Sequence, residues 1–172
     1  MRKIISIATI LILFITAILV IVNPVPAYAL ELDARLTDSA TYWTNQGGST
    51  MTLVFNCNGS QVGVCQLSGT YVNNESGFNC QGTPYPLTGV YYINTQTISW
   101  SVAWSNAYED CASVTGWTGY LSILSNPLQL VTDWNLAYST GGNSRAILQG
   151  QDTFTQNTTL SSRSLLKDPQ YK

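Results

Sequence analysis

The sequence predicts an all-β fold, an eight-stranded antiparallel up-and-down β-barrel. Short segments with alternating apolar and polar residues recur along the chain, joined by hairpin turns rich in Gly, Asn and Ser. Neither a helical period nor a repeat of fixed length interrupts them. A chain of 172 residues has room for one domain with a sizeable core. Closing the sheet into a barrel removes the unpaired edges that an open sheet would expose.

Residues 1–29 begin with Arg2 and Lys3, continue through an apolar run from Ile4 to Val22, and end in Ala27-Tyr28-Ala29. This is the pattern of a secretory signal peptide cleaved near Ala29, which places the mature protein outside the cell or in the periplasm. The apolar run is nearly long enough to span a bilayer, so an uncleaved anchor is the alternative. Cleavage leaves five basic against nine acidic side chains, a formal net charge of -4, and no membrane segment. Residues 30–39 read as a flexible lead-in, 40–155 as the barrel and 156–172 as a C-terminal tail.

The strands follow in order. Trp43 and Asn45 share a face before the turn Gln46-Gly47-Gly48, and from Ser49 onward Met51, Leu53 and Phe55 alternate with Thr50, Thr52 and Val54. Asn58-Gly59-Ser60 marks a hairpin. Beyond it, Cys65, Leu67, Gly69, Tyr71 and Asn73 form the next inward face. Cys57 and Cys65 stand symmetrically about this turn, and a bridge between them would contribute ~2.5 kcal/mol by chain entropy. Residues 74–84 have the composition of a long mobile loop, of the kind that serves as a lid. Leu87, Gly89, Tyr91 and Ile93 make the following strand. Next come Ile98, Trp100, Val102 and Trp104, a polar loop over 106–112, and the face Ser113, Thr115, Trp117, Gly119 and Leu121. After the turn Ser125-Asn126-Pro127, Leu128, Leu130, Thr132, Trp134 and Leu136 point inward. A turn over 139–143 leads to the last strand, with Ala146, Leu148, Gly150, Asp152 and Phe154 inward and Ile147 outward, as Val131 is on the strand before.

Composition narrows the function. Charged residues make up 9% of the chain and the pI is near 4.8, so there is no basic patch for nucleic acid. The sequence has no histidine, which removes Ser-His-Asp and Cys-His catalysis and imidazole metal ligation. Cys57, Cys65, Cys80 and Cys111 lack the spacing of a zinc site. They fit disulfides made in an oxidising compartment, with three connectivities open. Asp152 on an apolar face requires hydrogen-bonding partners, which are either structural groups or a ligand donor. Glu75, Glu109, Asp110 and Asp133 fall in loops or face outward, so no paired-acid hydrolase is supported. The expected lining is Asn45, Ser49, Tyr71, Asn73, Trp104, Ser113, Thr115, Trp117, Trp134 and Asp152. It suits a small, rigid ligand that forms hydrogen bonds. A lipocalin-like carrier of another apolar ligand is the alternative, although such a carrier would not need this many convergent polar groups.

The motifs W-x-N-Q-x-G-S-T at Trp43, L-S-G-T-Y at Leu67, W-S-V-A-W-S-N at Trp100, S-V-T-G-W-T-G at Ser113, T-D-W-N-L at Thr132 and G-Q-D-T-F-T at Gly150 occur in an order that resembles the avidin and streptavidin family. The resemblance implies a biotin-binding protein with no catalytic role and no cofactor. Asn45, Ser49 and Tyr71 would donate to the ureido oxygen of biotin and Asp152 would accept from a ureido N–H. Thr115 would meet the sulfur, Ser113 the carboxylate, and Trp104, Trp117 and Trp134 the apolar rings. Asn73 stands where the best-known members place a smaller Ser or Thr acceptor, which implies weaker binding. By the same resemblance Cys80 pairs with Cys111, leaving Cys57 with Cys65. Ser144 stands where tetrameric members place the tryptophan lent to a neighbour's site. A homodimer like that of the rhizavidin-like members is therefore expected rather than a tetramer.

Overall fold

The computed structural model describes residues 36, 40–57 and 63–158. The expected signal peptide, the turn at Asn58-Gly59-Ser60 and nearly all of the C-terminal tail lie outside the described residues. Within them, eight antiparallel strands close into a barrel: β1 (Thr41–Asn45), β2 (Thr50–Asn56), β3 (Val64–Val72), β4 (Pro84–Tyr92), β5 (Thr97–Ser105), β6 (Asp110–Ser122), β7 (Gln129–Gly141) and β8 (Ser144–Gln156). Each strand pairs with its sequence neighbour. The seam between β1 and β8 is short, joining Trp43, Thr44 and Asn45 to Gln156, Thr155 and Phe154.

Side-chain alternation places the residues where the sequence predicts. Met51, Leu53 and Phe55 of β2, Leu67 and Tyr71 of β3, and Ile98, Trp100, Val102 and Trp104 of β5 are all buried. Trp43 donates to Thr41 Oγ1 (2.8 Å), and the Thr41 hydroxyl donates to the carbonyl of Leu53 (3.0 Å). Trp100 stacks on Trp117 with ring centroids 5.7 Å apart and planes 12° apart. Leu36 also belongs to this core, although it sits in the segment read as a flexible lead-in. Both disulfides are formed, Cys57–Cys65 and Cys80–Cys111.

Three boundaries differ from the sequence reading. Strand β4 begins at Pro84 rather than near Leu87, and it carries Tyr85 inward and fully buried while Pro84 and Pro86 face outward. Proline removes a ladder donor and so argues against a strand, which hid Tyr85. Strand β6 starts at Asp110, inside the expected polar loop, opposite a register shift at Ala103/Ser105 of β5. The β7 and β8 strands run closer to their turn than expected, which leaves Gly142 and Asn143 as the connection.

Barrel closure brings backbones close at the inward glycines. A Cβ at Gly119 would lie 2.0 Å from the carbonyl oxygen of Val131, a backbone atom that can move only with its strand. We expect Gly119→Ala to destabilise the fold by about 3 kcal/mol. Urea denaturation monitored by tryptophan fluorescence measures this, and an unchanged midpoint would contradict the close packing.

Candidate ligand site

The core fills one end of the barrel, and a cavity of about 320 Å³ opens at the other, between the β3–β4 loop and the β7–β8 hairpin. Strand β8 places Asp152 at its floor, 4% exposed. Both carboxylate oxygens accept hydrogen bonds. Trp117 Nε1 donates to Oδ2 (2.8 Å), while Asn45 Nδ2 and Gln46 Nε2 each donate to Oδ1 (3.0 Å). Three N–H donors from β6, β1 and the β1–β2 turn satisfy a charge that would otherwise be costly to bury.

A second polar chain runs beside the first. Asn45 Oδ1 accepts from the backbone N–H of Ser49 (2.8 Å), and the Ser49 hydroxyl accepts from the N–H of Asn74 (3.0 Å) and donates to Asn73 Oδ1 (3.3 Å). Asn73 Oδ1 also accepts from the N–H of Glu75 (3.1 Å), while Asn73 Nδ2 donates to the carbonyl of Asn79 (3.3 Å). Asn73 therefore anchors the base of the β3–β4 loop as well as facing the cavity. Burial, the charge of Asp152 and, more weakly, that of Glu75 raise the pKa of Tyr71 well above the ordinary tyrosine value, against a smaller opposing effect of its bond with Ser49. Its hydroxyl stays protonated and available as a donor.

Aromatic rings form the walls. Tyr71 lies 5.0 Å from Trp117 and meets Trp104 edge-on at 5.7 Å, and Trp104 Nε1 donates to Thr115 Oγ1 (2.7 Å). Trp134 is half-buried beside Gly150, where a Cβ would come within 2.5 Å of its ring. Only glycine lets the indole lie flat on β8. Phe78 of the β3–β4 loop meets Trp134 edge-on, with centroids 6.4 Å apart. The Cys80–Cys111 bridge fastens this loop to the start of β6.

Eight of the ten expected residues, namely Tyr71, Asn73, Trp104, Ser113, Thr115, Trp117, Trp134 and Asp152, line one cavity. Asn45 and Ser49 do not reach its wall. They stand behind it, 5% and 0% exposed, and act through Asp152 and Asn73. The sequence reading placed Leu136 and Leu148 inward but left them out of the expected lining, and it missed Tyr138, which the alternation of β7 also points inward. It also missed Glu75 and Phe78, for which a loop without period offers no signal. Glu75 shares the cavity with Asp152, so a second carboxylate does lie at the site.

The profile of the Avidin family matches residues 33–157. Hoefavidin from Hoeflea phototrophica (strain DSM 17068 / NCIMB 14078 / DFL-43) is 46% identical over 141 residues, covering 82% of this chain and 85% of that protein. A crystal structure of short afifavidin in complex with biotin is 45% identical, with a TM-score of 0.62, and the match covers 76% of this chain and 98% of that one. The crystal structure of rhizavidin is 40% identical, with a TM-score of 0.62, covering 81% of this chain and 90% of that one.

The protonated Tyr71 phenol generates an expectation about alkaline pH. Because its folded value is raised above the unfolded one, its contribution to stability is complete below about pH 10 and is lost as the pH rises further. In a tyrosinate absorbance titration from about pH 9 to 11, Tyr71→Phe should leave the curve of the folded protein unchanged. Loss of one tyrosine's amplitude in that window would show that Tyr71 ionises normally.

Proposed function

The chain belongs to the avidin family, and from that membership we propose that its cavity binds biotin as the function of an exported, non-catalytic protein. The observation that carries this reading is the polar floor around Asp152 beneath the rings of Trp104, Trp117 and Trp134. A cyclic urea presents one carbonyl acceptor and two N–H donors. Tyr71 supplies a protonated hydroxyl for the carbonyl, while Ser49 and Asn45, behind the wall, orient Asn73 and Asp152. Asn73 Oδ1 then accepts one ureido N–H, and Asp152 accepts the other. The apolar rings and the sulfur then lie against the tryptophans and Thr115, with Ser113 nearer the tail. A purely apolar ligand would make no use of the Tyr71 hydroxyl and the Asn73 carboxamide at this floor, which disfavours the lipocalin-like alternative. Catalysis has little to act through, since both Asp152 oxygens already accept N–H bonds and the sequence lacks histidine.

Biotin at ~1,000 times its dissociation constant should stabilise the fold by ~4 kcal/mol, which appears as a rise in melting temperature, and Asp152→Ala should remove most of that rise. No shift at about millimolar biotin would overturn the reading.

The N-terminal pattern and the two disulfides support export with cleavage near Ala29. A homodimer is the assembly we favour over a tetramer. Ser144 is exposed at the β7–β8 hairpin, and all five tryptophans lie in the barrel or its cavity, so none projects toward a neighbour. On the outer face Val114, Ala137 and Ile147 stand side by side across β6, β7 and β8, with Ile147 69% exposed. Light scattering combined with intact mass on the exported protein should give two subunits that each begin at Leu30. Four subunits, or an intact N terminus, would refute the corresponding part.

A further inference from the structure

The cavity carries negative charge and no positive charge. Glu75 and Asp152 are the charged residues among its lining. Across the described residues there is one cation, Arg145, against five carboxylates. Arg145 is exposed, and its guanidinium donates to the carbonyls of Gly142 (3.4 Å) and Ser144 (2.9 Å) in the hairpin. Asp152 is neutralised at the floor by three N–H donors, whereas Glu75 stands on the loop side of the cavity. Its placement is fixed. Its N–H donates to Asn73 Oδ1, its carbonyl accepts from the Gln81 side chain, and its carboxylate lies over Gly47, where a Cβ would be 3.1 Å from the Glu75 carboxyl carbon. Glu109 adds a further charge at the mouth, with a carboxylate oxygen within 4.8 Å of the Cys111 sulfur.

We propose that the cavity selects its ligand by the charge of the tail reaching the mouth, favouring biotin whose carboxyl is tied up in an amide over the free acid, with Glu75 as the specificity-determining residue. This rests on the biotin reading above. A free carboxylate tail would approach Glu75 and Glu109 within a Debye length, while the one described cation, Arg145, has its guanidinium turned to the hairpin carbonyls of Gly142 and Ser144 and is absent from the lining. Bound ligand also displaces water from between the charges, which strengthens their repulsion. An amide tail carries no charge, yet its carbonyl still accepts from a hydroxyl donor such as Ser113. The class of ligand this favours is biotin joined to an amine, including a lysine side chain of a protein.

Dissociation constants for biotin and for biotinamide, measured by competition in about 20 mM salt, test the proposal. Biotinamide should bind about threefold to tenfold tighter than the free acid. The ratio should fall toward one in Glu75→Gln, invert in Glu75→Lys, and narrow for the unmodified protein in about 0.5 M salt, a comparison that requires no variant. Free biotin binding as tightly as biotinamide, or a ratio unmoved by salt and by Glu75→Lys, would overturn it. If neither ligand binds, the biotin reading fails and takes this inference with it, so the two failures look different.

Discussion

The structure depends on keeping one carboxylate, Asp152, buried and satisfied. Its donors come from Trp117 on β6, Asn45 at the end of β1 and Gln46 in the β1–β2 turn. These elements meet only if the barrel is closed. The backbone seam between β1 and β8 ends at Asn45 and Phe154. Beyond it, Gln46 takes the place of a strand: its Oε1 accepts from the N–H of Thr153 (2.9 Å), and its Nε2 donates to the carbonyl of Gln151 as well as to Asp152. One side chain thus extends the sheet and supports the acid. The site and the closure of the fold are the same set of hydrogen bonds.

That coupling explains the division of the interior. At the end filled by Trp43, Phe55, Trp100 and Leu130 the inward side chains pack against one another. At the Asp152 level, the polar groups must pair with each other, and they hold the aromatic walls apart as a cavity rather than letting them collapse. Stacking of Trp100 on Trp117 links the two halves, since the ring that packs on the core is held by the indole that donates to Asp152. The β3–β4 loop closes the side of the cavity through Asn73, Glu75 and the Cys80–Cys111 bridge.

Much of this was legible in the sequence because strand alternation is strict. A residue's face follows from its parity, and that placed Asp152, Trp117 and Tyr71 inward. Parity says nothing about depth, so Asn45 and Ser49 were expected on the cavity wall and stand behind it. Tyr85 was hidden by the prolines on either side of it. The roles of Glu75 and Phe78 depend on how a loop without period folds back, and that is set by tertiary bonds to Asn73 and Cys111. Asn73 was expected to serve the ligand alone, but a carboxamide has donors and acceptors enough to hold the loop too.

Hydrogen exchange of the Trp117 indole N–H, followed by NMR with and without biotin, tests the central claim most directly. If the Trp117–Asp152 bond is part of both the fold and the site, this proton exchanges slowly in the free protein and more slowly still in the complex. Rapid exchange that biotin leaves unchanged would contradict the account.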